Sequence, residues 1–159
     1  MEEPGGQQGG SEPAMARRRL SSDRPRDALG RPLDWGVEPQ IDLPPFDQLS
    51  IQENHRLAWA AFEAEDYFVA HEAWETAWKQ SRAAGTDDVE LFKGLAQIGA
   101  GYTHLARGNA KGAATLLRRG ATRLAQNESQ ASAWGFDAGG LVARCQADAS
   151  AIEKDLDGT

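Results

Sequence analysis

From about residue 49 to the C-terminus, apolar residues recur every three or four positions, and no period-two alternation of the strand type runs anywhere in that region. The pattern predicts helices throughout. Ser50-Ile51-Gln52-Glu53 has the form of a capping box, in which serine and glutamate satisfy each other's orphan amides. A first helix then runs to about Ala64 with Leu57, Ala58, Ala61 and Phe62 turned inward. Asp66 is placed to cap a second helix, which ends before Gly85. Thr86, Asp87 and Asp88 open a third, because carboxylates favour the positive end of a helix, and it reaches about Arg107. Gly108-Asn109 stops that helix and caps a fourth, which continues to about Gln126. A polar loop follows at Asn127–Gly135, and Asp137 is placed to cap a fifth helix whose stripe is Leu141, Cys145, Ala149, Ile152 and Leu156.

Sliding the chain by 43 residues lays Phe62 on Leu105, Asp66 on Asn109, Ala70 on Ala113, Trp74 on Leu117 and Ala77 on Gly120. Each copy is a helix, a short turn and a second helix. The prediction is a compact all-α bundle of about five helices, built as two stacked αα-hairpins with a C-terminal helix as cap.

The N-terminal third reads differently. All seven prolines lie at or before Pro45, and residues 1–16 are poor in apolar side chains, so they are expected to be a disordered tail. Met15, directly before ARRRL, is a second candidate start. Residues 17–47 hold six arginines, and their prolines disfavour helix, which predicts an extended arm with turns anchored by Leu33, Trp35 and Ile41. Residues 48–156 form the helical domain.

Charge and cysteine content narrow the function. The net charge is −7, which disfavours nucleic acid and anionic membranes as partners. Cys145 is the single cysteine, so no intramolecular disulfide forms, and no apolar run is long enough to span a membrane. The expectation is a soluble cytoplasmic protein. Arg107, Lys111, Arg118, Arg119 and Arg123 make a basic stripe without interleaved aromatics, which reads as a solvated face.

The candidate chemistry is concentrated in Tyr67–Lys79, YFVAHEAWETAWK. His71, Glu75 and Trp78 fall at i, i+4 and i+7 and share one helical face, with Glu72 beside them. Ionisable groups next to large aromatics are costly unless paired. On the third helix Gly94, Gln97, Gly101 and His104 make a stripe alternately bare and polar. Glycine inside a helix costs about 0.5–1 kcal/mol relative to alanine, so Gly94, Gly99 and Gly101 point to a close neighbour. If that neighbour is the second helix, Gln97 and His104 face His71 and Glu75 between Trp74, Trp78 and Tyr102. Such a cluster is a buried network that sets helix register, a pocket for a small polar ligand, or a metal site through His71, Glu75 and His104. No Gly-rich loop after a strand supports phosphate binding, and Cys145 on an apolar stripe reads as a core residue.

The string from His71 to Lys79, HEAWETAWK, resembles the HExxExxW helix of a bacterial and plastid family, domain of unknown function 309. Phe92-Lys93-Gly94-Leu95-Ala96-Gln97, then His104 and Arg107-Gly108-Asn109-Ala110-Lys111-Gly112-Ala113, is similar to that family's second signature, a GL-Q…H…GN-x-x-GA pattern. RPRDALGRPL is similar to actinobacterial members, so the resemblance spans residues 24–155. Trp74 stands where leucine is commoner in the family, a departure expected to alter packing rather than chemistry. The resemblance implies a compact all-α domain without an agreed activity, and maps the signature onto His71, Glu72, Glu75, Trp78, Gln97, His104, Gly108 and Asn109.

The leading expectation is therefore a non-catalytic binding or interaction module. Its site is a polar pocket of His71, Glu72, Glu75, Trp78, Gln97 and His104, with Gly94, Gly101, Gly108, Asn109 and Gly112 shaping the helices. No cofactor is required, and the expected partner is a small polar ligand or a protein, a second copy of the chain included. The alternative is a metal-dependent or acid–base enzyme using His71, Glu75 and His104.

Overall fold

The capping serine does what its spacing predicts: the Ser50 hydroxyl accepts the Glu53 amide while the Glu53 carboxylate accepts the Ser50 amide, and a helix follows. A computed structural model describes residues 24–158 of the chain. Its helices are α1 (Ile51–Glu63), α2 (Tyr67–Ala84), α3 (Val89–Ala106), α4 (Ala110–Ala125), α5 (Glu128–Ala133) and α6 (Ala138–Gly158), with a 3₁₀ turn at Phe46–Gln48 ahead of them. The architecture is all-α. Among the described residues there is no β-strand, only an isolated antiparallel bridge between Arg26 and Pro32.

The chain divides into two units, up to Asp42 and from Leu43 onward. In the first, residues 24–42 are described, and the expected tail at 1–16 with Met15 lies outside them. RPRDALGRPL is a tight turn organised by Asp27. Its Oδ1 accepts the amides of Leu29 and Arg31 at 2.9 and 2.8 Å, and Oδ2 accepts Arg31 Nε at 2.7 Å. Arg24 closes the same turn from outside, donating through Nε and Nη2 to the Leu33 carbonyl. Trp35, expected as an anchor, is 41% exposed.

In the second unit successive helices pack as hairpins: α1 on α2, α2 on α3, α3 on α4, and α6 against α4. The 43-residue correspondence shows in the packing. Asp66 and Asn109 are the N-cap residues of the second helix in each hairpin, and Ala70, Ala113, Trp74 and Leu117 are all fully buried. Asn109 caps with its side chain, as Ser50 does, whereas Asp66 and Asp88 occupy cap positions without a side-chain bond. The core runs from Phe46 to Ile152.

The structure corrects three details. The predicted loop at Asn127–Gly135 contains α5, so the bundle has six helices rather than five. α1 is rotated from its expected phase, burying Asn54, Ala58 and Phe62 and leaving Leu57 37% exposed. Asn54 turns inward because its amide donates to the Phe46 carbonyl at 2.8 Å and to Gln80 Oε1 at 2.9 Å, tying the 3₁₀ turn to α2. Leu156 lies past the end of the buried stripe of α6 and is exposed.

Candidate functional site

Position 99 decides how α2 meets α3. A β-carbon on Gly99 would lie 2.9 Å from the His71 Cα, closer than real side chains come, so glycine lets the two backbones touch there. That approach brings the His71 ring to the α3 backbone, where Nδ1 meets the Ala96 carbonyl at 3.0 Å. A carbonyl oxygen only accepts, so Nδ1 carries the hydrogen. In the neutral ring Nε2 is then a bare acceptor, and it faces Glu72 Oε2 at 3.8 Å.

One turn further along α2 comes Glu75. One ligand atom from each of His71, Glu72 and Glu75 lies within 4.8 Å of the others, all three side chains being half-buried. Lys79, at i+4 from Glu75, approaches its Oε1 to 3.8 Å. The arrangement is an imidazole with its tautomer set from behind by a backbone carbonyl, beside two carboxylates. Histidine ligands to metals are oriented in the same manner.

The other predicted site residues belong elsewhere. The stripe of Gly94 and Gly101 does mark a close neighbour, but that neighbour is α4 rather than α2. A β-carbon on Gly101 would meet the Leu117 side chain at 2.8 Å, and one on Gly94 would meet Arg123 Cβ at 3.3 Å. Gln97, on the same stripe, accepts Arg123 Nε at 3.2 Å, and Arg123 also pairs with Glu90. His104 sits at the end of α3, where the Asn109 amide donates to its Nδ1 at 3.1 Å. His104 is therefore part of the α3–α4 turn and is not among the three clustered ligands.

The second signature builds that turn. Gly108 takes φ +86°, a left-handed value, and Asn109 Oδ1 accepts the Gly112 amide at 3.1 Å. A β-carbon at Gly112 would fall 2.6 Å from Asn109 Nδ2, so the cap needs glycine there.

The aromatics divide as well. Trp78 carries Arg82 and Lys93 over its ring, at 4.8 and 5.5 Å from the centroid. Tyr102 stacks on Tyr67 with ring centroids 5.0 Å apart and donates to Asp148 on α6 at 2.5 Å; burial, and next the hydrogen bond to Asp148, push its hydroxyl far above the ordinary range. Cys145 beside it is fully buried, and burial pushes its thiol up to about 11, which keeps it protonated. Along the basic stripe Arg118 pairs with Glu153 at 2.6 Å, while Arg107 lies over Phe68.

Trp74 departs from its expected role as packing alone. It is fully buried, and its indole N–H donates to His55 Nδ1 at 3.1 Å. His55 carried no sequence signal beyond being one of three histidines. Its ring lies within 6.4 Å of Trp59, Trp74, Phe92, Trp134 and Phe136 by ring centroids, and burial lowers its pKa to about 4. Recognising this would have required the register of α1 and the turn before α6, which bring residues 55, 74 and 134 together only in the fold.

Comparison with known proteins places the chain. Neither a curated protein nor a solved structure matches it. The sequence profile of one family, described as a domain of unknown function, matches residues 55–116, the stretch that runs from His55 through the clustered His71, Glu72 and Glu75 to the Gly108–Gly112 turn. That match supports assigning the stretch from residue 55 to residue 116 to the DUF309 family, domain of unknown function 309.

Proposed function

We propose that the protein is a non-catalytic binding module, and that the face of α2 formed by His71, Glu72 and Glu75 takes a positively charged group, a divalent transition-metal ion being the simplest. The observation that carries this reading is the His71 tautomer. With Nδ1–H committed to the Ala96 carbonyl, the cluster gathers one imidazole lone pair and two carboxylates, all acceptors, with Lys79 the cation already drawn to Glu75. Acceptors gathered in a half-buried place repel one another unless a cation or a proton lies among them.

Nitrogen and oxygen ligands about 2.1 Å from a tetrahedral ion stand about 3.4 Å apart. Ion binding requires the two glutamate side chains to rotate so that the present spread of up to 4.8 Å closes to that value. Three protein ligands leave a fourth position for water or a bound molecule. Lys79 competes for Glu75, so ion binding releases that contact. An acid–base role through His71, Glu75 and His104 has less support, because His104 is engaged with Asn109.

The test is equilibrium dialysis of the untagged full chain against zinc. The expected result is saturable uptake of one ion per chain, weakened at least about tenfold in both His71→Ala and Glu75→Gln, with the helical circular-dichroism signal kept. Absence of saturable uptake, or uptake that neither substitution changes, overturns the proposal.

A further inference from the structure

A groove of about 530 Å³ runs along α1 and shares no residue with the His71 cluster. Its floor is His55 and Trp59, and its far wall is Trp134 and Phe136. Gly135 between those two takes φ +85°, a left-handed turn that turns both rings onto the same opening. The centroid of Phe136 lies 5.1 Å from that of Trp59 and 5.6 Å from that of His55, and Trp134 lies 5.3 Å from His55. Volumes of roughly 300–1,000 Å³ with such aromatic linings suit small ligands.

The floor has a fixed polarity. The Trp74 indole is only a donor, so His55 Nδ1 accepts, and the hydrogen of the neutral ring resides on Nε2. Depression of the His55 pKa to about 4 by burial keeps the ring in that neutral form near pH 7. Nε2–H makes no hydrogen bond to any described residue, although every neighbouring side chain on the wall is aromatic. Beside it on α1 the exposed guanidinium of Arg56 stands at the rim; Glu53, three residues back on the same helix, attracts it electrostatically, but no carboxylate among the described residues lies within ion-pair distance of it. Glu63 lines the groove seven residues further along, about 10 Å away on the helix axis, so its charge acts on the opposite end.

We propose that this groove binds a flat aromatic monocarboxylate, its ring against Trp59, Trp134 and Phe136 and its carboxylate taken by the His55 Nε2–H and the Arg56 guanidinium. Stacking on rigid aromatic walls supplies contact area at little entropic cost. The donor pair at one end selects an anion there, against the net charge of −7 on the whole chain. Glu63 at the far end selects against a second anionic group.

The test is calorimetric titration of the full chain at pH 7 with 2-naphthoate, and with 2-naphthylmethylamine as the cationic counterpart. The expected result is one saturable site per chain that prefers the carboxylate by at least about tenfold. Arg56→Gln, an exposed change, weakens naphthoate about five- to tenfold with an unaltered thermal midpoint. Phe136→Ala weakens both probes, His71→Ala weakens neither, and the His55 Nε2–H resonance shifts on adding naphthoate. Four results overturn the proposal: no saturable heat, amine bound as tightly as carboxylate, affinity unmoved by Arg56→Gln, or a dimer in sedimentation that Phe136→Ala dissociates. The last would give the groove to a second copy of the chain.

Discussion

His55 and Trp74 show how one buried donor dictates the state of its neighbour. Trp74 cannot accept, so His55 must offer a lone pair at Nδ1, and protonating the ring would set two N–H groups against each other. Burial depresses the His55 pKa from 6.5 to about 4, so the unfolded chain takes up a proton that the folded chain refuses between those values. Stability from this pair is thus complete above pH 6.5 and falls as the pH drops toward 4. Urea titrations between pH 4 and 7 are expected to show the midpoint falling on acidification, with a shallower slope in His55→Phe. An equal slope in both proteins would remove His55 from the account, since the carboxylates titrate alike in each.

Among elements, α3 is the one with neighbours on both sides, and its glycines assign them. Gly99 admits α2, while Gly94 and Gly101 admit α4, because 94 and 99 point about 140° apart around a helix with 3.6 residues per turn. The expected convergence of Gln97 and His104 on His71 fails for that reason: the stripe carrying them faces α4. Alanine at position 99 would gain about 0.5–1 kcal/mol of helix propensity but press its methyl against the His71 backbone. Overpacking of that kind costs about 1–3 kcal/mol, so Gly99→Ala is expected to be net destabilising in chemical denaturation. It is also expected to weaken zinc uptake, since separating α2 from α3 lengthens the bond from His71 to Ala96.

At the scale of the molecule, the buried cluster begins at Phe46 and ends at Ile152, wholly inside the unit that starts at Leu43. Its helices meet their neighbours in sequence, apart from α6 reaching back to α4. A fragment of residues 43–159 therefore keeps every core contact of that unit and is expected to fold alone. Far-ultraviolet circular dichroism should show a helical spectrum with one cooperative thermal transition, and a broad non-cooperative melt would contradict it. No helix among the described residues is long and apolar enough to cross a membrane.

The positions of the helices other than α5, the Ser50 capping box, the Gly85 and Gly108 stops and the Asn109 cap were legible in the sequence, because each depends on residues within a few positions of one another. The two hairpins were legible too, since the periodicity carries the buried face. His71, Glu72 and Glu75 gather by helical spacing alone, within one turn of α2. Other features depend on which helix lies behind which. The inward turn of Asn54 is set by the Phe46 carbonyl, the pairing of Gln97 by Arg123 and the tautomer of His71 by the Ala96 carbonyl. The groove at His55 draws on α1, the buried Trp74 of α2 and the Trp134–Phe136 turn, which are brought together by packing rather than by any local pattern. Local geometry decides where helices start, stop and gather charge, whereas the partners of each buried polar atom are decided only when helices distant in sequence close on one another.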